Sequence, residues 1–261
     1  MGQALLSGWI DRGIAPSAVA VVEPETGTRE AVATRFPGVS VLPEPGLLDP
    51  RFRPDVIVLA VKPQVMDGVV AGYRGFAGAG TVVLSIAAGR TVASFRRVLG
   101  DQAQVVRAMP NTPASVHRGI SVACAGPAVT AAQRALCTGL LEAVGGVIWI
   151  EDESLMDAVT AVSGSGPAYV FLLTEALAAA GIEAGLPEAM AGRLARETVI
   201  GAASLLSATD ASPDVLRQGV TSPGGTTEAA LGVLMAEPGG LRALLVAAVR
   251  AAAERSRTLA S

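Results

Sequence analysis

The chain changes its sequence pattern near residue 151, and this change constrains its fold more than any other feature. Up to that point, short apolar runs such as 56–61 alternate with amphipathic segments such as 2–13. Apolar, β-branched runs that alternate with helices are typical of βαβ units and a mainly parallel sheet. Beyond residue 151 the sequence predicts helices only, separated by breaks rich in glycine, serine and proline.

The sequence therefore predicts two domains, an α/β domain over residues 1–151 and an all-helical domain over residues 152–261. The helical segments 188–208 and 241–253 are apolar on more than one face. In a helical domain this small, such helices need partner helices from another subunit. We therefore expect a homodimer or a higher oligomer built from dimers.

Composition excludes several classes of protein. The chain is 51% hydrophobic and 16% charged with a net charge of −3, which argues against disorder and against a nucleic-acid binder. Cys124 and Cys137 cannot form a disulfide framework, and no CxxC or Cys/His cluster offers a metal site. The apolar stretch 167–182 contains Glu175 and is too short to span a bilayer, and no secretory signal is recognisable. We expect a cytoplasmic protein without nucleic-acid, membrane or metal partners.

Three predicted strand ends carry unusual residues. In open α/β sheets, ligands bind outside the carboxyl ends of the strands. The three segments are 61–64, 85–89 and 109–113; the first holds the only lysine, Lys62, and the last holds the only asparagine, Asn111. Both residues are candidates for cofactor binding, although Asn111 could also be a simple turn residue between two prolines.

Two loops of the helical half could let a ligand approach the backbone closely. Residues 163–169 open a helix with small side chains, and residues 220–227 place a glycine pair and several hydroxyls before another helix. A helix N-terminus attracts a carboxylate or phosphate through its free N–H groups and its dipole. The alternative is ordinary N-capping by a serine or threonine, which needs only one hydroxyl.

Taken together, these motifs resemble those of the pyrroline-5-carboxylate reductase family. They are Ala-Val-Lys-Pro-Gln at 60–64, Met-Pro-Asn-Thr-Pro at 109–113, Ser-Gly-Ser-Gly-Pro-Ala-Tyr at 163–169 and the loop 221–227, in this order and spacing. The resemblance covers essentially the whole chain. It implies a Rossmann-like domain that binds NADPH or NADH, followed by a helical domain for substrate binding and dimerisation. The implied activity is the reduction of 1-pyrroline-5-carboxylate to L-proline, the last step of proline biosynthesis.

The resemblance also implies the residues of the site. Hydride passes to the carbon of a cyclic C=N bond, so the protein mainly orients two flat rings and anchors a carboxylate. Thr227 and Glu153 are the matched side chains that could hydrogen-bond the ring nitrogen or handle its proton, which makes them the catalytic candidates. The implied substrate contacts are Gly164, Ser222, Gly225, Thr226 and Thr227, and the implied cofactor contacts are Gly2, Glu23, Ala60, Lys62, Ala88 and Asn111.

The chain departs from the family pattern at two places. The first strand and the Gly-x-Gly loop that cradles the pyrophosphate are missing, and Gly2 corresponds at most to the third glycine. Their loss should leave unpaired backbone groups beside two strands and weaken cofactor binding, and it suggests a start codon placed too far downstream or a truncated chain. Glu23 closes a strand at which an acidic residue favours NADH, but Arg29 is close enough in sequence to compensate. The preference between NADH and NADPH therefore stays open.

Two other functions stay open at this point. The chain could be a catalytically impaired homologue that acts only through its oligomeric helical half, which a dinucleotide-binding measurement would test. It could also reduce another cyclic imine. Chemistry on a β-hydroxy acid is disfavoured, because that branch of related enzymes needs a lysine in the second domain and no lysine follows Lys62.

Overall fold

The computed structural model describes residues 1–49, 51–78 and 80–260, which form two compact units. The first unit comprises Met1–Gly164 together with the chain from Ala252 onward, and the second unit is Ser165–Ala251. The chain therefore leaves the first unit once and returns to it with its last helix.

The first unit contains two separate sheets within the described residues. Their strands are β1 (Ala20–Val22), β2 (Ser40–Leu42), β3 (Val56–Leu59), β4 (Val82–Ser85), β5 (Gln104–Met109), β6 (Gly119–Ala125) and β7 (Gly145–Ile150). β1 and β2 pair in parallel, and β3 to β7 form a five-stranded sheet in sequence order. Only the β5–β6 pair of the larger sheet is antiparallel, so the predicted mainly parallel sheet is confirmed.

Helices cover both faces of the larger sheet. The helices before residue 151 are α1 (Gly2–Asp11), α2 (Thr26–Arg35), α3 (Met66–Gly72), α4 (Val92–Leu99) and α5 (Ala131–Glu142). Phe95 of α4 packs in the cluster that contains Val83, whereas Leu141 of α5 packs in the cluster that contains the next residue, Leu84. Successive residues of a strand point to opposite faces, so β4 is covered on both sides, which explains its continuous apolar sequence.

α1 joins the two sheets through neighbouring side chains. Leu5 is fully buried in the cluster that includes Leu84 of the larger sheet, and Leu6 packs with Val32 and Phe36 beside the smaller sheet. In the described part of the chain, β1 pairs only with β2 and β3 only with β4, so each of these strands has one open edge. Packing on α1 holds together two sheets that share no strand pairing in these residues.

The segment after the last strand is less regular than the helices predicted beyond residue 151. It forms a 3₁₀ turn (Glu153–Leu155), a short helix α6 (Met156–Val159) and a π turn (Thr160–Gly164). Met156 is fully buried in a cluster with Val122 and Cys124, so this segment packs with the first unit. The predicted functional boundary at 151/152 follows the end of β7, whereas the packing boundary lies after Gly164.

The second unit is helical and buries few of its own side chains. Its helices are α7 (Gly166–Glu183), α8 (Glu188–Ala208), α9 (Pro213–Gly219), α10 (Thr226–Leu234) and the first part of α11 (Leu241–Ala260). Of the residues in this unit, only Ala191, Ala195 and Gly240 are buried, while Phe171 is 62% and Leu244 63% exposed. An apolar surface of this extent on a folded unit marks an interaction site.

The last turns of α11 belong to the first unit. Ser256 is buried, and its hydroxyl donates a hydrogen bond of 2.6 Å to Oδ1 of Asp157 on α6. Ala253, one turn earlier, is buried as well. The C-terminal part of the described chain is thus fastened to the segment that follows β7.

Candidate active site

The carboxyl ends of three neighbouring parallel strands bring four of the predicted cofactor residues to one edge of the larger sheet. Ala60 and Lys62 follow β3, Ala88 follows β4, and Asn111 follows β5. This is the edge at which open α/β sheets bind ligands. The side chain of Lys62 is exposed there, so its charge is available to a ligand.

The start of α1 reaches the same edge. A Cβ atom added to Gly2 would lie 3.2 Å from the Cβ of Ala60, so the helix N-terminus sits tightly against the residue that follows β3. Met1 occupies the N-cap position without a side-chain hydrogen bond to the helix. An uncapped helix start at the strand-end edge fits the phosphate groups of a dinucleotide, because its free N–H groups favour an anion.

Asn111 has a structural role that its position in the turn explains. Its side chain is buried, and Oδ1 accepts a hydrogen bond of 2.9 Å from the backbone N–H of Ile120 in β6. The side chain thereby fastens the turn after β5 to the next strand. This agrees with the turn interpretation, and cofactor contact by Asn111 stays a prediction.

Glu23 lies at the end of β1, where its backbone N–H extends the pairing with β2 by donating to Leu42 O at 2.8 Å. Its Oε1 accepts the N–H of Glu25 at 3.0 Å. Arg29 folds back onto this turn and donates to the carbonyl oxygens of Glu23 and Pro24 at 3.2 and 3.0 Å, and to Thr26 Oγ1 at 3.1 Å. The turn is therefore held by Arg29, the residue that the sequence offered to compensate the charge of Glu23.

Glu25, which sequence reasoning missed, is the N-cap residue of α2. Its carboxylate accepts hydrogen bonds from the backbone N–H groups of Thr28 and Gly27, the latter at 2.9 Å. These bonds, the one from Thr28 above all, lower the pKa of Glu25. Glutamate is not among the preferred N-cap residues, so only the Pro24–Glu25 turn before a helical segment could have indicated this role.

Glu153, a predicted catalytic residue, is held by two donors. Its Oε1 accepts the N–H of Val92, at the start of α4, at 2.8 Å and lies 3.2 Å from Nη1 of Arg107 in β5. Arg107, which sequence reasoning also missed, has a side chain that is 6% exposed. The pair joins β5, the start of α4 and the segment that leads to Gly164, so the geometry gives Glu153 at least a positioning role. In the sequence, a single arginine within the apolar run Val-Val-Arg-Ala-Met could have indicated a buried charge that needs a partner.

Gly164 lies beside the end of β5. A Cβ atom added there would lie 2.7 Å from the terminal methyl of Met109 and 3.6 Å from Cγ2 of Thr160. Gly164 ends the π turn, a rare conformation that is often found at functional sites. The structure thus brings Gly164 next to the turn that contains Asn111, in agreement with a shared site.

In the second unit, the loop 221–227 leads into α10 without any hydroxyl capping the helix. The N-cap residue is Gly225, and no side chain bonds the first turn. The capping interpretation of the loop hydroxyls is therefore wrong. Those of Ser222, Thr226 and Thr227 have no hydrogen-bond partner among the described residues, while Thr221 Oγ1 donates to Arg217 O at 2.6 Å. Free hydroxyls beside an uncapped helix start are suited to a ligand carboxylate.

Hydrogen bonds within this loop show which of its backbone N–H groups are free to bind an anion. The N–H of Gly225 already donates to Ser222 O at 3.0 Å, whereas the N–H of Thr226 has no partner within the described chain. Gly224 adopts a φ of 70°, and its N–H donates to Oε2 of Glu228 at 2.7 Å. Glu228 was not predicted, and its position three residues after the N-cap is the signal that could have found it.

Two family models match the chain, and between them they cover both halves. The model described as pyrroline-5-carboxylate reductase dimerisation matches residues 153–259, and the model described as NADP oxidoreductase coenzyme F420-dependent matches residues 1–89.

Similar proteins match over nearly their full lengths. A pyrroline-5-carboxylate reductase from Synechocystis is 42% identical over 99% of this chain and 94% of its own, and one from Pseudomonas aeruginosa is 40% identical over 100% and 93%. The solved pyrroline-5-carboxylate reductase of Coxiella burnetii has a TM-score of 0.90 at 37% identity, covering 100% of this chain and 95% of that one. The Plasmodium falciparum enzyme, solved with NADP bound, has a TM-score of 0.82 at 27% identity, covering 100% and 95%.

Proposed function

The chain belongs to the pyrroline-5-carboxylate reductase family, and we propose how its own residues perform the reaction of that family. It is an NAD(P)H-dependent oxidoreductase that reduces 1-pyrroline-5-carboxylate to L-proline in the last step of proline biosynthesis. This assignment of residues depends on one observation. Gly2, Ala60, Lys62 and Ala88 lie together at the strand-end edge, the edge of the larger sheet formed by the carboxyl ends of β3, β4 and β5. We assign cofactor binding to residues 1–151, and substrate binding and dimerisation to residues 152–261.

The strand-end edge would hold the cofactor through the helix start and the side chains around it. The uncapped N-terminus of α1 at Gly2 would attract the phosphates, and the exposed ammonium of Lys62 would add a positive charge. Ala60 and Ala88 are small, so the nucleotide can approach the backbone at both strand ends. When bound, NAD(P)H supplies the hydride for the C=N carbon.

The loop before α10 would hold the substrate. We assign its carboxylate to the free N–H groups at the start of α10, with Gly225 allowing close approach and Ser222 offering a hydroxyl at the rim. Of these N–H groups, that of Thr226 is unengaged within the described chain. The hydroxyl of Thr227 would hydrogen-bond the ring nitrogen, which ends the reaction protonated. Gly164 has no side chain where it packs closely against Met109 at the end of β5, and Glu153 positions the segment that carries Gly164.

The activity is tested by following the oxidation of NADH and of NADPH in the presence of pyrroline-5-carboxylate. We expect turnover that depends on both the dinucleotide and the imine. Absence of both dinucleotide binding and turnover would point to a catalytically impaired homologue. Turnover with a different cyclic imine only would place the chain elsewhere among the imine reductases.

Assembly and location follow the same reasoning. The match to a dimerisation model supports an oligomer, and we propose a homodimer or a higher oligomer built from dimers. Among the described residues, the stretch Glu153–Glu183 is long and apolar enough to cross a membrane by length and composition alone, which is weak evidence. Because this stretch lies within the matched dimerisation region, we assign its apolar surface to subunit contact and propose a cytoplasmic protein.

A further inference from the structure

We infer that the turn after β1 selects NADH over NADPH. Glu23 stands where a 2′-phosphate would lie, and Glu25 accepts the backbone N–H groups that such a phosphate would need. The inference rests on the proposed function, since it concerns the cofactor of that reaction. It adds a specificity that membership of the family leaves undecided.

The position of Glu23 decides which part of the cofactor it meets. In dinucleotide folds, an acidic residue about 20 residues beyond the glycine motif hydrogen-bonds the ribose hydroxyls, whereas a nearby arginine accommodates a 2′-phosphate. Glu23 stands at this distance from Gly2. Glu23 directly follows β1, and its backbone is fixed by the 2.8 Å bond to Leu42 O. Oε1 is engaged with the N–H of Glu25 at 3.0 Å, while Oε2 has no partner within the described residues. That oxygen can accept a hydrogen bond from a ribose hydroxyl.

The start of α2 cannot serve as the phosphate site, because a carboxylate of the chain already fills it. Glu25 accepts the N–H groups of Gly27 and Thr28, which are the groups that a helix offers to an anion. A 2′-phosphate would have to displace Glu25 or remain beside it. Either arrangement brings like charges together without a free helix start to compensate.

Arg29 does not restore a phosphate site, because its donors are turned to the chain itself. Nη1 donates to the carbonyl oxygens of Glu23 and Pro24, and Nη2 donates to Thr26 Oγ1. These three bonds hold the guanidinium against the turn. The turn therefore carries two carboxylates, Glu23 and Glu25, and one guanidinium, Arg29. Its net charge is negative at the position of the extra phosphate of NADPH.

The test is calorimetric titration of the 261-residue protein with NADH and with NADPH, without imine substrate. We expect NADH to bind about tenfold more tightly or better, as like-charge repulsion at a partly exposed turn requires. Glu25→Gln keeps an acceptor for the helix start and removes the charge, and Glu25→Ser keeps a preferred N-cap residue while freeing N–H groups. Both variants should tighten NADPH binding about tenfold and leave NADH within about twofold.

Glu30→Gln is the matched control, because Glu30 is an exposed residue of the same helix whose carboxylate takes no part in the hydrogen bonds given for the turn. It removes the same charge and should change neither dissociation constant by more than about twofold. Tighter or equal binding of NADPH by the unaltered protein would overturn the inference and leave the reductase assignment standing. If neither dinucleotide binds, both the inference and the proposed function are overturned.

Discussion

Nη1 of Arg107 lies 3.2 Å from Oε1 of Glu153, so a buried cation of the larger sheet is neutralised by a carboxylate from the segment after β7. Removing one partner of such a pair leaves an uncompensated charge, which is strongly destabilising. We expect Glu153→Gln to lower the free energy of unfolding by about 2–4 kcal/mol in urea denaturation.

The exposed pair of Arg134 and Glu151, whose carboxylate is 85% exposed, provides the control. Glu151→Gln should change the free energy of unfolding by less than about 1 kcal/mol. Replacing both Arg107 and Glu153 by methionine should lose less stability than the two single changes together. Full turnover by that double variant would contradict the predicted proton-handling role of Glu153.

Thr227→Val tests the substrate loop, since it keeps the shape of the side chain and removes only the hydroxyl. A hydrogen bond to a charged group contributes about 1.5–3 kcal/mol, so kcat/KM for the imine should fall on the order of tenfold to a hundredfold. The dissociation constant of the cofactor should stay within about twofold, since we place the residue on the substrate side.

Ser222→Ala is the comparison for the loop. Because Ser222 does not cap α10, the melting temperature should barely move, and any change in KM reports a direct contact with the substrate. If Thr227→Val keeps full activity or loses cofactor binding instead, the placement of the substrate over residues 221–227 is wrong.

Two glycines outside the site should respond in opposite directions. Gly145 has a φ of 147°, and a Cβ atom there would lie 1.9 Å from the carbonyl oxygen of Gly119, its neighbour in the sheet. Gly145→Ala should therefore destabilise the fold by about 3 kcal/mol or more. Gly139, exposed inside α5, has nothing within 4 Å of such an atom. Gly139→Ala should stabilise the protein by about 0.5–1 kcal/mol in the same denaturation assay.

We expect the buried thiol of Cys137 to make the free energy of unfolding fall at alkaline pH. Burial raises the pKa of its thiol from 9.0 to about 12. Between these values the folded state keeps a proton that the unfolded chain has released, so rising pH favours unfolding. The slope should approach about 1.4 kcal/mol per pH unit for this group. Cys137→Ala should remove that contribution to the alkaline slope, and equal slopes in both proteins would contradict the prediction.

The exposed apolar side chains of the second unit predict that the monomer is not the stable species. Analytical ultracentrifugation at micromolar concentration should show a dimer or a multiple of it. Phe171→Glu places a charge on a residue that is 62% exposed in the isolated chain and should shift the distribution toward monomer. A monodisperse monomer of the unaltered protein would refute subunit contact through this surface.

Much of the fold was predictable because local sequence and tertiary packing agree. The β-branched run at β3 and the amphipathic helix at α1 were expected within a few residues of where they lie, since both faces of the sheet are covered by helices. The antiparallel direction of β6 was not predictable, because a strand buried on both faces looks apolar in either direction. The irregular segment 153–164 also escaped prediction, since its turns follow from burial of Met156 rather than from local preference.

The site was predictable where it depends on short motifs and not where it depends on long-range partners. The strand ends at Lys62, Ala88 and Asn111 lie on one edge because β3, β4 and β5 are parallel, which their order suggested. The pairing of Arg107 with Glu153 joins residues 46 positions apart. No local pattern reports such a contact, because only the folded chain brings the two charges together.

The return of α11 to the first unit sets an order of events during synthesis on the ribosome. Domains generally fold as units while the chain emerges from its N-terminus. Here the hydroxyl of Ser256 and the carboxylate of Asp157 meet within one unit although the whole of Ser165–Ala251 is translated between them. The first unit can therefore be completed only after α11 has been translated. Ribosome-stalled chains that lack α11 should leave this part of the nascent protein open to chaperones.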